Sequence, residues 1–87
     1  MEPVEVGKYL VVDPRVCHGQ LTFKGTRVPV DTVLYYLSTG RAIDQIVNDW
    51  PQVKREAVAE AILLAADALV ERHTKPAEAA REPTHSG

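Results

Sequence analysis

The apolar and polar positions at the start of the chain predict two short β-strands. The runs Tyr9–Val12 and Leu21–Phe23 contain mainly apolar, β-branched and aromatic residues, and the turn signal Asp13-Pro14 follows the first run. We expect the two strands to pair as a hairpin around a loop over residues 13–20. Because a two-stranded hairpin is only marginally stable alone, it must pack on helices or on a second copy of itself.

A helical spacing of apolar residues follows the hairpin and predicts three helices. Pro29 suits the first turn of helix one, Gly40 suits its end, and Trp50-Pro51 breaks the chain between helices two and three. The predicted bounds are residues 29 or 30 to 37, residues 42 to 49, and residues 53 or 54 to 72. The expected fold class is α+β and mainly α, with a short N-terminal β-hairpin before a three-helix, winged-helix-like or helix-turn-helix domain.

Composition places these elements in one small domain over residues 9–72, between an N-terminal arm over 1–8 and a C-terminal tail over 73–87. The tail contains Pro76, Pro83 and scattered charges, and it has no apolar residue larger than alanine. Such a segment cannot supply a core and is predicted to be flexible. A chain of 87 residues builds only a thin core and often gains stability from a second subunit.

Helix three has more apolar surface than a small domain can cover. Ten of the twelve residues from Ala57 to Ala68 are apolar, and six of these ten are alanine. The polar residues fall close to one line along the helix, so the wide remainder needs cover on more than one side. We therefore expect a homodimer in which the small residues let two backbones approach each other. The predicted dimer interface is Val58, Ala61, Ile62, Ala65 and Leu69.

Charge, cysteine content and hydropathy restrict the class of protein. The net charge is −2, so the chain as a whole is not a nucleic-acid-binding polycation, although its front is mildly basic and its back acidic. The single cysteine, Cys17, excludes an internal disulfide framework and fits a reducing compartment. No apolar run approaches the roughly 20 residues of a membrane span, and the N-terminus has no signal-peptide pattern. We expect a cytoplasmic protein that does not contact a membrane.

The chain shows no pattern that predicts catalysis. Cys17-His18 lacks the further cysteine and histidine ligands that a zinc site needs at recognisable spacing. The segment Gly19 to Thr26 does not have the order of a phosphate-binding Walker loop, because Lys24 precedes the second glycine. No nucleophile–base pair stands out. We therefore expect a protein that is not an enzyme, with no catalytic residue, no metal site and no cofactor.

Helix two, the break and helix three have the lengths of a helix-turn-helix motif. If the motif binds DNA, the start of helix three enters the major groove and the basic turn around residue 24 contacts the phosphate backbone. The candidate DNA-binding residues are Arg15, Lys24, Arg27, Gln52, Lys54 and Arg55. The other interpretation is an αα-hairpin that only supports the domain. Glu56 and Glu60 count against deep insertion of this helix, because carboxylates there would repel phosphate.

Several short strings along the chain resemble the domain of unknown function 433 family. They are Asp13-Pro14, Cys17-His18-Gly19, Phe23-Lys24-Gly25-Thr26-Arg27-Val28-Pro29-Val30, Gly40, Ile46, Asp49 and Trp50-Pro51. The resemblance covers about residues 9–70. It implies a VapB-type, antitoxin-like protein with a helix-turn-helix, encoded beside a PIN-domain toxin. Such an antitoxin would dimerise, bind its own promoter DNA and neutralise the toxin with a C-terminal segment.

The sequence and the resemblance together predict a non-enzymatic, DNA-binding antitoxin and autoregulator of a type II toxin–antitoxin pair. The expected partners are the protein's own promoter DNA, a PIN-domain toxin and a second copy of the chain. Paired units would contact two half-sites about 34–36 Å apart on the DNA. The alternative is a protein-interaction module with no DNA role, which binds a partner through helix three and the tail.

Overall fold

A computed structural model of the protein describes residues 2–74. The chain forms a three-stranded antiparallel sheet and then three helices, which confirms the α+β, mainly helical fold class. The strands are β1 (Val4–Val6), β2 (Leu10–Val12) and β3 (Leu21–Phe23), with β2 in the middle. The helices are α1 (Val30–Ser38), α2 (Ile43–Asp49) and α3 (Arg55–His73), so their ends lie within two residues of the predicted bounds.

The sheet contains one strand more than the sequence predicts. β1 lies inside the segment expected to be a loose arm, and it pairs with β2 in the register Val4 with Val12 and Val6 with Leu10. Gly7 opens the turn between these strands at a φ of 65°, a left-handed angle that glycine adopts without steric cost. β1 therefore covers the outer edge of β2, which would otherwise expose unpaired backbone groups.

A tight turn over Lys24–Arg27 follows β3. Gly25 has a φ of 79°, as its place in the turn requires. The Thr26 hydroxyl donates a hydrogen bond to the Phe23 carbonyl oxygen (2.8 Å) and accepts one from the Val28 backbone N–H (3.0 Å). The Phe23 N–H also donates to the Val28 carbonyl oxygen at 3.1 Å. These bonds close the turn and fix the backbone that carries its two cations.

One hydrophobic core lies between the sheet and the helices. α1 contacts β3, α2 and α3, so it is the element on which the rest of the domain packs. Full burial of each large core side chain contributes roughly 1.5–3 kcal/mol. The buried hydrophobic residues are Leu10, Phe23, Val28, Val30, Val33, Ile46, Val53, Ala57, Val58 and Ala61. Within residues 2–74, no helix is both long enough and apolar enough to cross a bilayer.

Only the first part of α3 contributes to this core. The predicted interface residues Val58 and Ala61 are buried in their own chain, because this part of α3 packs against α1 and α2. The other three predicted interface residues, Ile62, Ala65 and Leu69, are exposed. Leu64 packs against the core, but the other large apolar side chains on the remainder of α3 keep much of their surface in solvent: Ile62 38%, Leu63 66%, Leu69 61% and Val70 58%.

Candidate functional site

An open cleft of about 260 Å³ lies where the sheet meets the start of α3. Three lysines and one side-chain amide line it together with apolar and aromatic residues. We call it the lysine cleft. Its lining residues are Lys8, Tyr9, Phe23, Lys24, Gln52, Lys54 and Ala57. Phe23 and Ala57 belong to the hydrophobic core, so the cleft has a buried apolar floor beneath exposed cationic side chains.

Three different connections supply the polar groups of the lysine cleft. Lys8 comes from the β1–β2 turn, Lys24 from the turn after β3, and Gln52 and Lys54 from the segment between α2 and α3. These residues are far apart in the chain, so only the packing of the sheet against α3 brings their charges together. Three ammonium groups around one cleft create a positive potential that attracts an anion.

The structure separates the six predicted DNA-binding residues into three groups. Lys24, Gln52 and Lys54 line the lysine cleft. Arg27 lines a neighbouring hollow of about 560 Å³, and Gln52 is shared by both concavities. Arg15 and Arg55 do not line either one, and each forms an ion pair with a carboxylate of its own chain.

Each of the two remaining arginines forms an ion pair with a carboxylate of the same domain. Arg15 donates from Nε to Asp13 Oδ1 at 3.1 Å, and its backbone N–H donates to the same oxygen at 2.9 Å. The Arg15 backbone N–H and then its guanidinium lower the pKa of Asp13 below its usual range. Arg55 pairs with Asp44 of α2. Both arginine side chains are exposed, so such pairs contribute only about 0–1 kcal/mol, and it is their position that sets Arg15 and Arg55 apart from the lysine cleft.

The lysines of the cleft remain accessible to an external anion. Lys24 Nζ lies 3.3 Å from Glu5 Oε2, but both groups are solvent-accessible and such surface pairs contribute about 0–1 kcal/mol. A phosphate can therefore replace Glu5 at little cost. Within residues 2–74, Lys8, Lys54 and Arg27 form no salt bridge.

The start of α3 adds a second source of positive potential. Lys54 is the N-cap residue of α3, and its side chain makes no capping hydrogen bond to the helix. The first backbone N–H groups of a helix have no partner within the helix, and together they carry about half a positive charge. An anion in the lysine cleft therefore lies near both the lysine ammonium groups and the N-terminal end of a 19-residue helix.

Glu60 has a structural role that the sequence does not reveal. Its carboxylate accepts hydrogen bonds from the backbone N–H groups of Lys8 (2.8 Å) and Tyr9 (2.7 Å), which joins α3 to the β1–β2 turn. The same two N–H groups, Lys8 first, lower the pKa of Glu60 below its usual range. A Cβ atom at Gly7 would lie only 2.6 Å from this carboxylate. Glu60 thus positions Lys8 at the cleft, while its own negative charge offsets part of the positive potential of Lys8 and Lys24.

This contact gives a pH-dependent prediction. Because Glu60 has a lowered pKa in the folded state, its stabilisation is fully present above the ordinary glutamate pKa and is lost as the pH falls through the folded-state value. Glu60→Gln should lower the melting temperature by roughly 5 °C at neutral pH. The difference in melting temperature between Glu60→Gln and the wild type should decrease as the pH is lowered.

The control for Glu60 is Glu71→Gln, the same substitution at an exposed position on the same helix. Thermal unfolding of the three proteins, followed by circular dichroism between neutral and acidic pH, measures the effect. Equal melting temperatures for the two variants at neutral pH would contradict the role given to the Glu60 carboxylate.

The loop between β2 and β3 carries the only cysteine. Cys17 and His18 both have left-handed φ angles, 49° and 57°, and the Cys17 Sγ donates to the Arg27 carbonyl oxygen at 3.3 Å. The thiol thus ties this loop to the basic turn. No group of three or more metal-ligand side chains comes together in the part of the chain that the structure describes.

The fold and the lysine cleft define a small α+β domain with an open, cationic surface. The model of the family described as "Protein of unknown function (DUF433)" matches residues 10–65, and the chain belongs to this family. The matched segment extends from the first residue of β2 into α3, and it includes every residue of the lysine cleft except Lys8 and Tyr9. No curated protein and no solved structure matches the chain significantly.

Proposed function

We propose that the protein is a DNA-binding autoregulator and the antitoxin of a type II toxin–antitoxin pair, without enzymatic activity. One observation carries the DNA-binding part of the proposal. Lys24, Gln52 and Lys54, three residues that the sequence nominates for DNA contact, line a single open cleft at the start of α3, and Lys8 joins them there. A duplex offers this surface a dense row of phosphates, which lysines contact as point charges.

In the proposed complex the α2–turn–α3 segment acts as the helix-turn-helix. Lys8, Lys24 and Lys54 contact phosphates, and the N-terminal N–H groups of α3 contribute a further anion contact. Gln52, which is exposed and stands between the two concavities, can reach a base edge or a phosphate. Arg27 extends the positive surface along the neighbouring hollow.

The small number of free cations limits how strongly salt affects binding. The three lysines and Arg27 correspond to about three to five phosphates neutralised per chain, so the salt dependence should be shallow. In a dimer, two such units would contact half-sites about 34–36 Å apart. The proposal also includes a cytoplasmic location and a PIN-domain toxin as partner, bound through the C-terminal tail. All but two of the tail's residues lie outside the described part of the chain.

The test is fluorescence anisotropy of the purified protein on its own upstream DNA and on scrambled DNA at two salt concentrations. We expect tighter binding to the upstream DNA, weakened by salt. Lys54→Gln should weaken this binding several-fold, because it removes one phosphate contact.

The matched control is Arg72→Gln in the last turn of α3. It removes the same charge about 22 Å along the helix from Ala57, which lines the cleft, so it should bind DNA like the wild type. Equal weak binding of both DNAs by the wild-type protein would refute the autoregulator. Equal losses of DNA affinity in Lys54→Gln and Arg72→Gln would refute the assignment of the DNA-binding site to the lysine cleft.

A second candidate function rests on a different observation, the large exposed apolar side chains on α3. In this alternative the protein is an interaction module with no DNA role, and α3 and the tail bind a partner protein. Absence of DNA binding together with co-purification of the neighbouring gene product would favour it. Retention of that complex in Lys54→Gln and its loss in Leu69→Glu would place the contact on α3.

A further inference from the structure

The lysine cleft adjoins the hollow of about 560 Å³ that Arg27 lines, and we call this second concavity the Arg27 hollow. Gln52 lines both concavities. Successive residues of the turn after β3 line one or the other, Lys24 the cleft and Gly25, Thr26 and Arg27 the hollow. A Cβ atom at Gly25 would meet nothing within 4 Å, so this turn leaves room for a ligand that extends from one concavity into the other.

The Arg27 hollow differs in chemistry from the lysine cleft. Its charged lining residues are the cation Arg27 and the anion Asp13, and Val11 and Val16 add apolar surface. The Asp13 carboxylate would repel a second phosphate or an acidic side chain. The volume lies within the range of about 300–1,000 Å³ that is usual for small-ligand sites. The hollow therefore suits an uncharged group with both apolar area and hydrogen-bonding atoms.

Three polar groups of the Arg27 hollow remain available to such a ligand. Arg27 is exposed and forms no salt bridge within residues 2–74. Arg15 binds Asp13 Oδ1 at 2.9 and 3.1 Å but approaches Oδ2 only to 3.4 Å, so Oδ2 can accept a better hydrogen bond. The exposed amide of Gln52 both donates and accepts. A guanidinium, a carboxylate oxygen and an amide are the groups that recognise the edges of nucleobases.

We propose that the lysine cleft and the Arg27 hollow together bind one unpaired nucleotide, with its phosphate in the cleft and its base in the hollow. Val11 and Val16 contact the face of the base. Arg27 and Gln52 donate to its acceptor atoms, and Asp13 accepts from its N–H groups. This inference rests on the proposed function in one respect, the phosphate contact in the lysine cleft. It goes further because the bases of a duplex are stacked and paired, and none enters a hollow without leaving the stack.

The experiment compares two ligands that differ only in the base. Guanosine 5′-monophosphate offers the acceptors O6 and N7 and an amino donor, whereas ribose 5-phosphate has the same phosphate and sugar without a base. NMR titration of the ¹⁵N-labelled full-length chain gives both dissociation constants. We expect the constant for the nucleotide to be at least about tenfold lower, with the Thr26 and Arg27 amide signals shifted by the nucleotide alone. Equal constants, or no binding of the nucleotide, would overturn the proposal.

Three variants test the two halves of the site separately. Arg27→Met removes the guanidinium in the hollow and should raise the dissociation constant of the nucleotide about tenfold, while that of ribose 5-phosphate changes by about twofold at most. Lys54→Gln, in the lysine cleft, should weaken both ligands alike. The matched control is Arg55→Met, because exposed Arg55 lines neither concavity, and it should bind both ligands like the wild type. Equal weakening of both ligands by Arg27→Met would refute the position given to the base.

Anisotropy with one strand of the upstream DNA distinguishes the two sources of an unpaired nucleotide. Tighter binding of the strand than of guanosine 5′-monophosphate would identify a nucleic-acid strand as the ligand, and the reverse order would identify a free nucleotide. The two proposals can also fail separately. Binding of the upstream duplex without binding of the nucleotide would contradict only this inference. Binding of the nucleotide without any preference for the upstream duplex would contradict only the proposed function.

Discussion

Phe23→Ala is expected to remove about 3–5 kcal/mol from the free energy of unfolding. Phe23 is among the largest fully enclosed side chains, with 2% of its surface exposed, and it lies in β3 opposite Leu10. Its ring forms part of the core and part of the floor of the lysine cleft, so its loss leaves a cavity in both. Domains of this size have a total stability of roughly 5–15 kcal/mol, so the loss removes most of the stability at the lower end of that range.

Urea denaturation followed by the fluorescence of Trp50 measures the loss. Phe23→Leu keeps most of the apolar volume and should cost about 1–2 kcal/mol, which keeps the experiment informative if the alanine variant does not fold. Tyr35→Ala is the control, because Tyr35 is an aromatic residue with 64% of its surface exposed and should cost about 1 kcal/mol or less. Equal losses for Phe23→Ala and Tyr35→Ala would show that the core is placed wrongly.

Simultaneous replacement of Lys8, Lys24 and Lys54 by glutamine is expected to weaken binding to upstream DNA on the order of 100-fold at 0.1 M salt. Each lysine that contacts a phosphate releases a counterion, so the slope of log affinity against log salt should decrease in magnitude by about three per chain. The fold should persist, because all three lysines are exposed and glutamine retains most of the aliphatic stem.

The measurement is anisotropy at four or more salt concentrations for the wild type, the triple variant and Arg72→Gln. Unfolding curves of the same samples establish that the triple variant is folded. A salt slope that stays at the wild-type value would mean that these lysines do not contact phosphates. A slope that changes as much in Arg72→Gln would mean that net charge, not the lysine cleft, controls binding.

Much of the fold follows from local signals in the sequence. Gly25, Pro29 and Gly40 mark backbone conformations that few other residues adopt, and the helices begin and end close to these positions. β1 has no such signal, because three residues are too few to show the alternation of apolar and polar residues that identifies a strand. Its position is determined by pairing with β2 and by Glu60, which is 52 residues from Lys8 in the chain.

The candidate site was predictable only in part. Residue type alone identifies Lys24, Gln52 and Lys54 as candidates for DNA contact, since cations and amides near a turn can bind an anion. Their convergence with Lys8 depends on the packing of the sheet against α3, which no local pattern specifies. Sequence spacing also cannot show that Asp13 and Asp44 engage Arg15 and Arg55, because these ion pairs depend on side-chain positions in the folded domain.

The predicted dimer interface shows the same limit. The apolar pattern of helix three identifies an excess of apolar surface, but it does not show which part the domain covers itself. Val58 and Ala61 belong to the buried core, and the exposed large apolar side chains of α3 begin one residue later at Ile62. The positions of the other helices therefore determine which apolar residues of α3 are buried within the domain and which remain exposed.

The central claim is that upstream DNA binds in the lysine cleft, and an NMR titration of the ¹⁵N-labelled protein with that duplex tests it most directly. We expect the backbone amide signals of Lys8, Lys24, Gln52 and Lys54 to shift with increasing DNA, while those of residues 67–73 stay in place. Scrambled DNA should give smaller shifts at the same concentrations. Shifts confined to residues 67–73, with the cleft signals unmoved, would contradict binding of DNA in the lysine cleft.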